Sequence, residues 1–137
     1  AYASATGLIH LTQASMQSNK NSVMWELAEG KLENVNGRTA FDAMRKNDEA
    51  GRAVVELYIR YVACGLINTI NTFQPEIICI GGGISKEGDN LLIPIQKIVE
   101  AERFSKNLEN QTQVKIAKLG NDAGIIGAAF IFRLYQH

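Results

Sequence analysis

Apolar positions recur at helical spacing through the first half of this chain, and at strand spacing only in the second. Residues 3–17 read as a first helix. Leu8, Leu11 and Ser15 form one row on it, and Ile9, Thr12 and Met16 the next. Asn19, Lys20, Asn21 and Ser22 break the pattern. A short helical turn follows over residues 23–28, then the loop Glu29-Gly30-Lys31 and the turn signal Asn36-Gly37. Thr39 is placed to cap a short helix running from Ala40 to near Asn47. Asp42, three residues on, completes a box-like pattern.

The longest predicted element runs from about residue 48 to 73. Ala50, Val54, Leu57, Tyr58, Tyr61, Val62, Leu66, Ile70 and Phe73 recur at steps of three and four. Val55, Ile59 and Ile67 widen that stripe, which predicts burial on more than one side. Gly65 in its middle costs roughly 1 kcal/mol against alanine, which predicts a close backbone contact there. Pro75 ends the helix, because the residue before a proline disfavours helical geometry. Residues 76–80 then form a strand with four consecutive large apolar side chains, a run that reads as buried. Gly81-Gly82-Gly83 follows directly.

A helix over residues 90–104 is carried by Leu91, Leu92, Ile95, Ile98 and Val99, with Pro94 in its first turn or kinking it. Residues 112–119 alternate as a strand with Val114 and Ile116 on one face. Residues 121–135 form a last helix, on which Gly124 and Gly127 permit tight packing. Strands joined through a helix predict parallel neighbours and a right-handed crossover. Two strands are few for an α/β sheet. The chain also opens Ala-Tyr-Ala-Ser without a methionine, so it reads as a piece of something larger, one domain over residues 1–137.

Composition narrows the classes. Apolar residues make up 46% of the chain and charged residues 20%, ordinary for a globular fold. Fourteen bases balance fourteen acids, with no basic cluster to attract nucleic acid or an anionic membrane. No uninterrupted apolar run approaches the roughly 20 residues that span a bilayer, and no secretory leader opens the chain. The expected location is the cytoplasm. Cys64 and Cys79 fit two buried free thiols in a reducing compartment, with a disulfide as the other option. Without a nearby histidine pair they make no zinc site.

Candidate chemistry concentrates at the triple glycine. Ligands of open α/β sheets bind at the carboxyl ends of the strands, and backbone amides free of β-carbons can cradle an anion. The run is neither a P-loop nor G-x-G-x-x-G, so both a nucleotide contact and a tight structural turn fit it. Lys86 could reach a phosphate, or be an exposed loop lysine. Asp122 could be a functional carboxylate, but an acid there also complements a helix dipole. His10 stands alone, Trp25 and the tyrosines form no stacking array, and no Ser/His/Asp or Cys/His set assembles.

Four segments together resemble the C-terminal part of the ROK family (repressors, open reading frames and kinases), most closely its bacterial glucokinases. They are Tyr2-Ala3-Ser4-Ala5-Thr6-Gly7, then Thr39-Ala40-Phe41-Asp42-Ala43 with Asn47-Asp48-Glu49-Ala50. The more specific pair is Phe73-Gln74-Pro75-Glu76-Ile77-Ile78-Cys79-Ile80-Gly81-Gly82-Gly83-Ile84-Ser85 and Asn121-Asp122-Ala123-Gly124-Ile125-Ile126-Gly127-Ala128-Ala129. The resemblance implies an α/β fold, the C-terminal lobe of an actin-like (ribonuclease-H-like) ATPase, helix-rich with a small parallel sheet. It implies phosphate transfer from ATP with magnesium to a hexose such as glucose. Gly81, Gly82 and Gly83 are the implied nucleotide contacts, with Gly65 on the adenosine side.

The resemblance also says what this chain lacks. The family's catalytic aspartate and Asp-x-Gly-Gly-Thr phosphate loop belong to an N-terminal lobe. Its zinc cysteines and a sugar-binding glutamate lie upstream of this segment. No catalytic or metal residue is therefore assigned here, and the chain alone is expected to be inactive. Its implied partners are ATP, a sugar and the other lobe. The last helix, with Ile126, Phe130 and Leu134, would need another cover in isolation, which makes a homodimer an expectation. The other member type is a sugar-responsive transcriptional repressor with a winged helix ahead of the same body.

Overall fold

The computed structural model describes residues 2–104, 106–107, 109–120 and 122–131, with Ala123 described by its backbone alone. The elements run α1 (Ala5–Ser18), α2 (Met24–Leu27), α3 (Thr39–Arg45), α4 (Glu49–Phe73), β1 (Ile77–Ile80), α5 (Asp89–Glu102), β2 (Gln113–Ile116) and α6 (Asp122–Phe130). A short 3-10 turn covers Leu32–Asn34 and another Gly83–Glu87.

α4 is the axis of the core, and α1, α3 and α5 pack around it. Of the predicted stripe Val54, Tyr58 and Ile70 are buried, as are Val55, Ile59 and Ile67 beside it and Ala63, but Leu57 and Phe73 are exposed, Phe73 at the helix's last residue. Leu8, Thr12 and Met16 of α1 line up at four-residue steps and are fully buried. Thr12 keeps its hydroxyl satisfied by donating to the Leu8 carbonyl at 2.8 Å. α4 is long and apolar enough to cross a membrane by length and composition. Its inner stripe is instead covered by the other helices, and its outer side carries Arg52, Glu56 and Arg60.

The close backbone contact lies at Gly51, not at Gly65. A β-carbon on Gly51 would sit 2.7 Å from Ala43 Cβ and 3.1 Å from the Ala40 carbonyl oxygen, so α3 and α4 touch where glycine removes the obstacle. Gly65 has open space on its exposed side. The turn of α4 that carries it also exposes Cys64 and Asn68, and among the described residues no neighbour approaches there.

Asp48 caps α4. Its carboxylate accepts from the Gly51 N–H at 2.6 Å, the Val23 N–H at 2.9 Å and the Ser22 hydroxyl at 3.1 Å. Burial alone would raise its pKa; the hydrogen bonds outweigh that and hold it below the ordinary carboxylate value. One side chain thus caps the longest helix and ties it to the start of α2. Thr39, expected as a cap, is instead the first residue of α3, and Arg38 before it makes no side-chain cap bond. The Thr39 hydroxyl accepts from the Asn36 N–H, closing the Asn36-Gly37 turn.

β1 and β2 pair in parallel, Ile77 opposite Gln113 and Ile80 opposite Ile116. The crossover between them is α5, and Pro94 lies inside that helix, past its first turn. Val114 is buried and Ile116 half-buried on one face of β2, as the alternation predicted. β1 is not sandwiched on both sides. Ile78 and Ile80 face the helices, while Ile77 and Cys79 are exposed, because no described element covers their side. For the same reason the thiols expected to be buried are both free and exposed, Cys64 on the outside of α4 and Cys79 on that bare face.

The two edges of the sheet differ. The outward carbonyls of Thr112 and Val114 are occupied by side chains, Arg103 Nη1 just past α5 at 3.5 Å and Gln96 Nε2 on α5 at 2.9 Å. That guards β2 against further strand pairing. Among the described residues the outer edge of β1, along Ile77 and Cys79, carries no such guard. α6 is mostly exposed, with Ile125 leaving 73% of its surface in water. The tight packing expected at Gly124 and Gly127 is absent among the described residues, since a β-carbon at either would meet nothing. Leu134 and the C-terminal end of the predicted helix lie outside the described residues.

Candidate functional site

The triple glycine leaves the carboxyl end of β1 and enters the 3-10 turn Gly83–Glu87. The last ladder bond, from the Ala117 N–H to the Ile80 carbonyl at 2.8 Å, holds the strand end in place. Each of the three glycines then serves a different need. A β-carbon at Gly81 would meet Ala117 Cβ at 3.7 Å, an ordinary contact. Gly82 has φ +80° and ψ −172°, a conformation open essentially to glycine alone. Gly83 opens the turn with free space where a side chain would stand.

All three glycines are exposed, and among the described residues the N–H groups of Gly82 and Gly83 make no backbone hydrogen bond. The turn is held from within by Ser85, whose buried hydroxyl donates to the Gly82 carbonyl at 2.7 Å. Gly88, with φ +54°, releases the chain into α5. The result is a fixed loop whose outer surface is backbone. An anionic group can approach it without meeting a side chain.

A cleft of about 390 Å³ borders this turn. Gly83, Ile84, Lys86 and Glu87 form one wall; Asn36, Gly37 and Arg38 form another. Lys86 and Arg38 are exposed cations beside it. Gly65 does not line this cleft. Glu87 was not singled out by its sequence setting. It is only 7% exposed, and its carboxylate pairs with Arg45 at the end of α3. Arg45 also holds Asp42 one turn back, at 2.6 Å. The two partners stand 42 positions apart, so spacing gives no hint of the pair.

The remaining candidates have structural roles or none. Asp122 sits exposed in the first turn of α6, where a negative charge suits the helix dipole. The Trp25 indole donates to the Met16 carbonyl at 2.9 Å and carries Lys20 over its ring at 5.0 Å. His10 is exposed. Among the described residues no group of three or more His, Cys, Asp and Glu could hold a metal ion.

This arrangement has known counterparts. The ROK family model matches residues 1–134. The chain belongs to the ROK family. A glucokinase of Halalkalibacterium halodurans is 34% identical over 98% of the chain, which spans 40% of that relative. A glucokinase of Thermotoga maritima is 31% identical over 97% of the chain, which spans 41% of it. Among solved structures, a ROK family glucokinase from Streptomyces griseus in complex with glucose and AMPPNP superposes with a TM-score of 0.85 at 27% identity. It covers 97% of this chain and 43% of its own. The chain therefore spans about two fifths of the ROK relatives it matches. Its fold is that of the actin-like sugar-kinase lobe, helix-rich with a small parallel sheet, as the resemblance implied.

Proposed function

We propose that this chain is the nucleotide-side half of an ATP-dependent sugar kinase that phosphorylates a hexose such as glucose. The observation that carries this reading is the open glycine turn. Gly81, Gly82 and Gly83 present bare backbone at the carboxyl end of a parallel strand, beside a cleft with two cations. ATP supplies the phosphoryl group, with magnesium carried on its own phosphates. The three glycines receive the nucleotide at close range. Gly65, open on its outer side, takes a weaker adenosine-side contact.

The catalytic base and the phosphate loop come from another lobe, so the 137 residues alone position one substrate and catalyse nothing. This division fits a chain whose core is closed around α4 while the outer edge of β1 and the face of α6 stay bare. A repressor of the same family has no need of ATP, so the open turn favours the kinase. Such an enzyme works in the cytoplasm, where ATP and free sugars meet.

A coupled assay of the full-length protein with glucose, mannose and N-acetylated hexosamines tests this. Turnover with at least one hexose is expected, together with none from the isolated chain. An absence of turnover with every hexose refutes it.

A further inference from the structure

Glu87 poses an electrostatic problem for the function just proposed. It lines the same cleft as Gly83, and its carboxylate is almost wholly withdrawn from water. A bare negative charge there would repel the phosphates of a nucleotide seated on the glycine turn, the more so because partial burial weakens solvent screening.

The structure supplies the remedy from a different element. Arg45 is the last residue of α3, and its guanidinium reaches Glu87 with one terminal nitrogen while Asp42 holds the other. α3 is itself immobilised, because its Ala40 and Ala43 are pressed against Gly51 of α4. The arginine is therefore aimed before any ligand arrives. The glycine turn is pinned at both ends: at the front by the Ser85 hydroxyl on the Gly82 carbonyl, at the back by Arg45 on Glu87.

We propose that Arg45 is a positioning residue for the nucleotide. It supplies the cation that compensates Glu87, shared with the more exposed Asp42, and fixes the trailing end of the glycine turn, so that the cleft accepts a polyanion. The inference rests on the kinase reading. It predicts an asymmetry that a merely structural ion pair lacks. Losing Arg45 alone leaves an uncompensated carboxylate facing the phosphates. Losing Glu87 alone leaves Arg45 paired with Asp42 and no bare carboxylate in the cleft, which a phosphate tolerates.

The test uses the full-length protein and a non-hydrolysable ATP analogue with magnesium, titrated by calorimetry, with thermal unfolding measured alongside. Arg45→Gln should weaken nucleotide binding about tenfold at low ionic strength, and much less in high salt. Glu87→Gln should leave binding within about twofold to threefold. The double variant should recover most of the loss, and the KM for the sugar should stay unchanged throughout.

The proposal is overturned if Arg45→Gln binds like the wild type, or if the double variant binds no better than Arg45→Gln. It also fails if the KM values for sugar and nucleotide rise together. If Arg45→Gln and Arg45→Lys both fail to fold while Glu87→Gln folds, the pair is structural and the proposal falls. A wild-type protein that turns over no hexose refutes the kinase reading instead. An active wild type whose Arg45 variants bind normally refutes this inference alone.

Discussion

Phe41 and Phe104 are the same side chain in opposite circumstances. Phe41, in α3, has no surface in water; Phe104, just after α5, leaves 91% of its surface there. The contrast extends to their surroundings. The helical body around α4 buries Leu8, Met16, Met24, Tyr58 and Ile70 almost completely. At the sheet end Phe73, Ile77, Leu119 and Ile125 stand in solvent. One region satisfies its own apolar surface. The other leaves large apolar side chains open to solvent. The guarded edge of β2 and the bare edge of β1 tell the same story in hydrogen bonds. A guarded edge resists further strand pairing, and an unguarded one leaves its backbone groups open to it.

Substitutions sharpen this contrast, and urea denaturation of the chain reads them. Phe41→Ala should cost the most, about 3–5 kcal/mol, because it opens a cavity in a close-packed core. Phe104→Ala should fall within about 0.5 kcal/mol of zero. Equal costs at the two sites would erase the distinction between the regions. Gly51→Ala comes next. Its new methyl would meet Ala43 at 2.7 Å, so overpacking of about 1–3 kcal/mol is expected. The same change at Gly65 meets nothing and should stabilise α4 slightly, by up to about 1 kcal/mol. A destabilising Gly65→Ala would restore the contact first expected there.

Asp48→Ala should cost about 1–2 kcal/mol through loss of the α4 cap. It also carries a pH signature. The Asp48 pKa is lower in the folded chain than its unfolded value of 3.8. Its contribution is therefore fully present above that value and is lost as pH falls through the folded pKa. Acid unfolding profiles of wild type and Asp48→Asn should converge toward low pH; parallel profiles would contradict this assignment. The smallest effect concerns association. The apolar face of α6, with Ile126 and Phe130, should make the isolated chain self-associate at high concentration. A clean monomer in sedimentation would remove that expectation.

What could be read from the chain was local. The apolar spacing of α4 located most of its buried stripe, though not the exposure of Leu57 and Phe73, and Pro75 marked where the helix stops. Val114 and Ile116 disclosed the inner face of β2. The triple glycine announced itself because three absent side chains after an apolar strand are conspicuous in any sequence. Relations across the fold were not legible. Gly51 and Gly65 look alike as helical glycines, and only the position of α3 tells which one is needed. Thr39 fits a cap pattern and is not the cap of α3, while Asp48, the cap of α4, was not singled out by its sequence setting; it is held by Ser22 and Val23, far from it along the chain. The four apolar residues of β1 read as a buried strand because the run does not alternate, yet among the described residues nothing covers Ile77 and Cys79. Arg45 and Glu87 meet only in three dimensions.

The most direct test of the central claim is nucleotide affinity at the glycine turn. A calorimetric titration of the full-length protein with the ATP analogue and magnesium should show binding. Gly82→Val, placing a branched side chain at φ +80°, should weaken that binding at least about tenfold while the KM for the sugar is unchanged. Equal affinity in wild type and Gly82→Val would contradict the claim that this backbone receives the nucleotide.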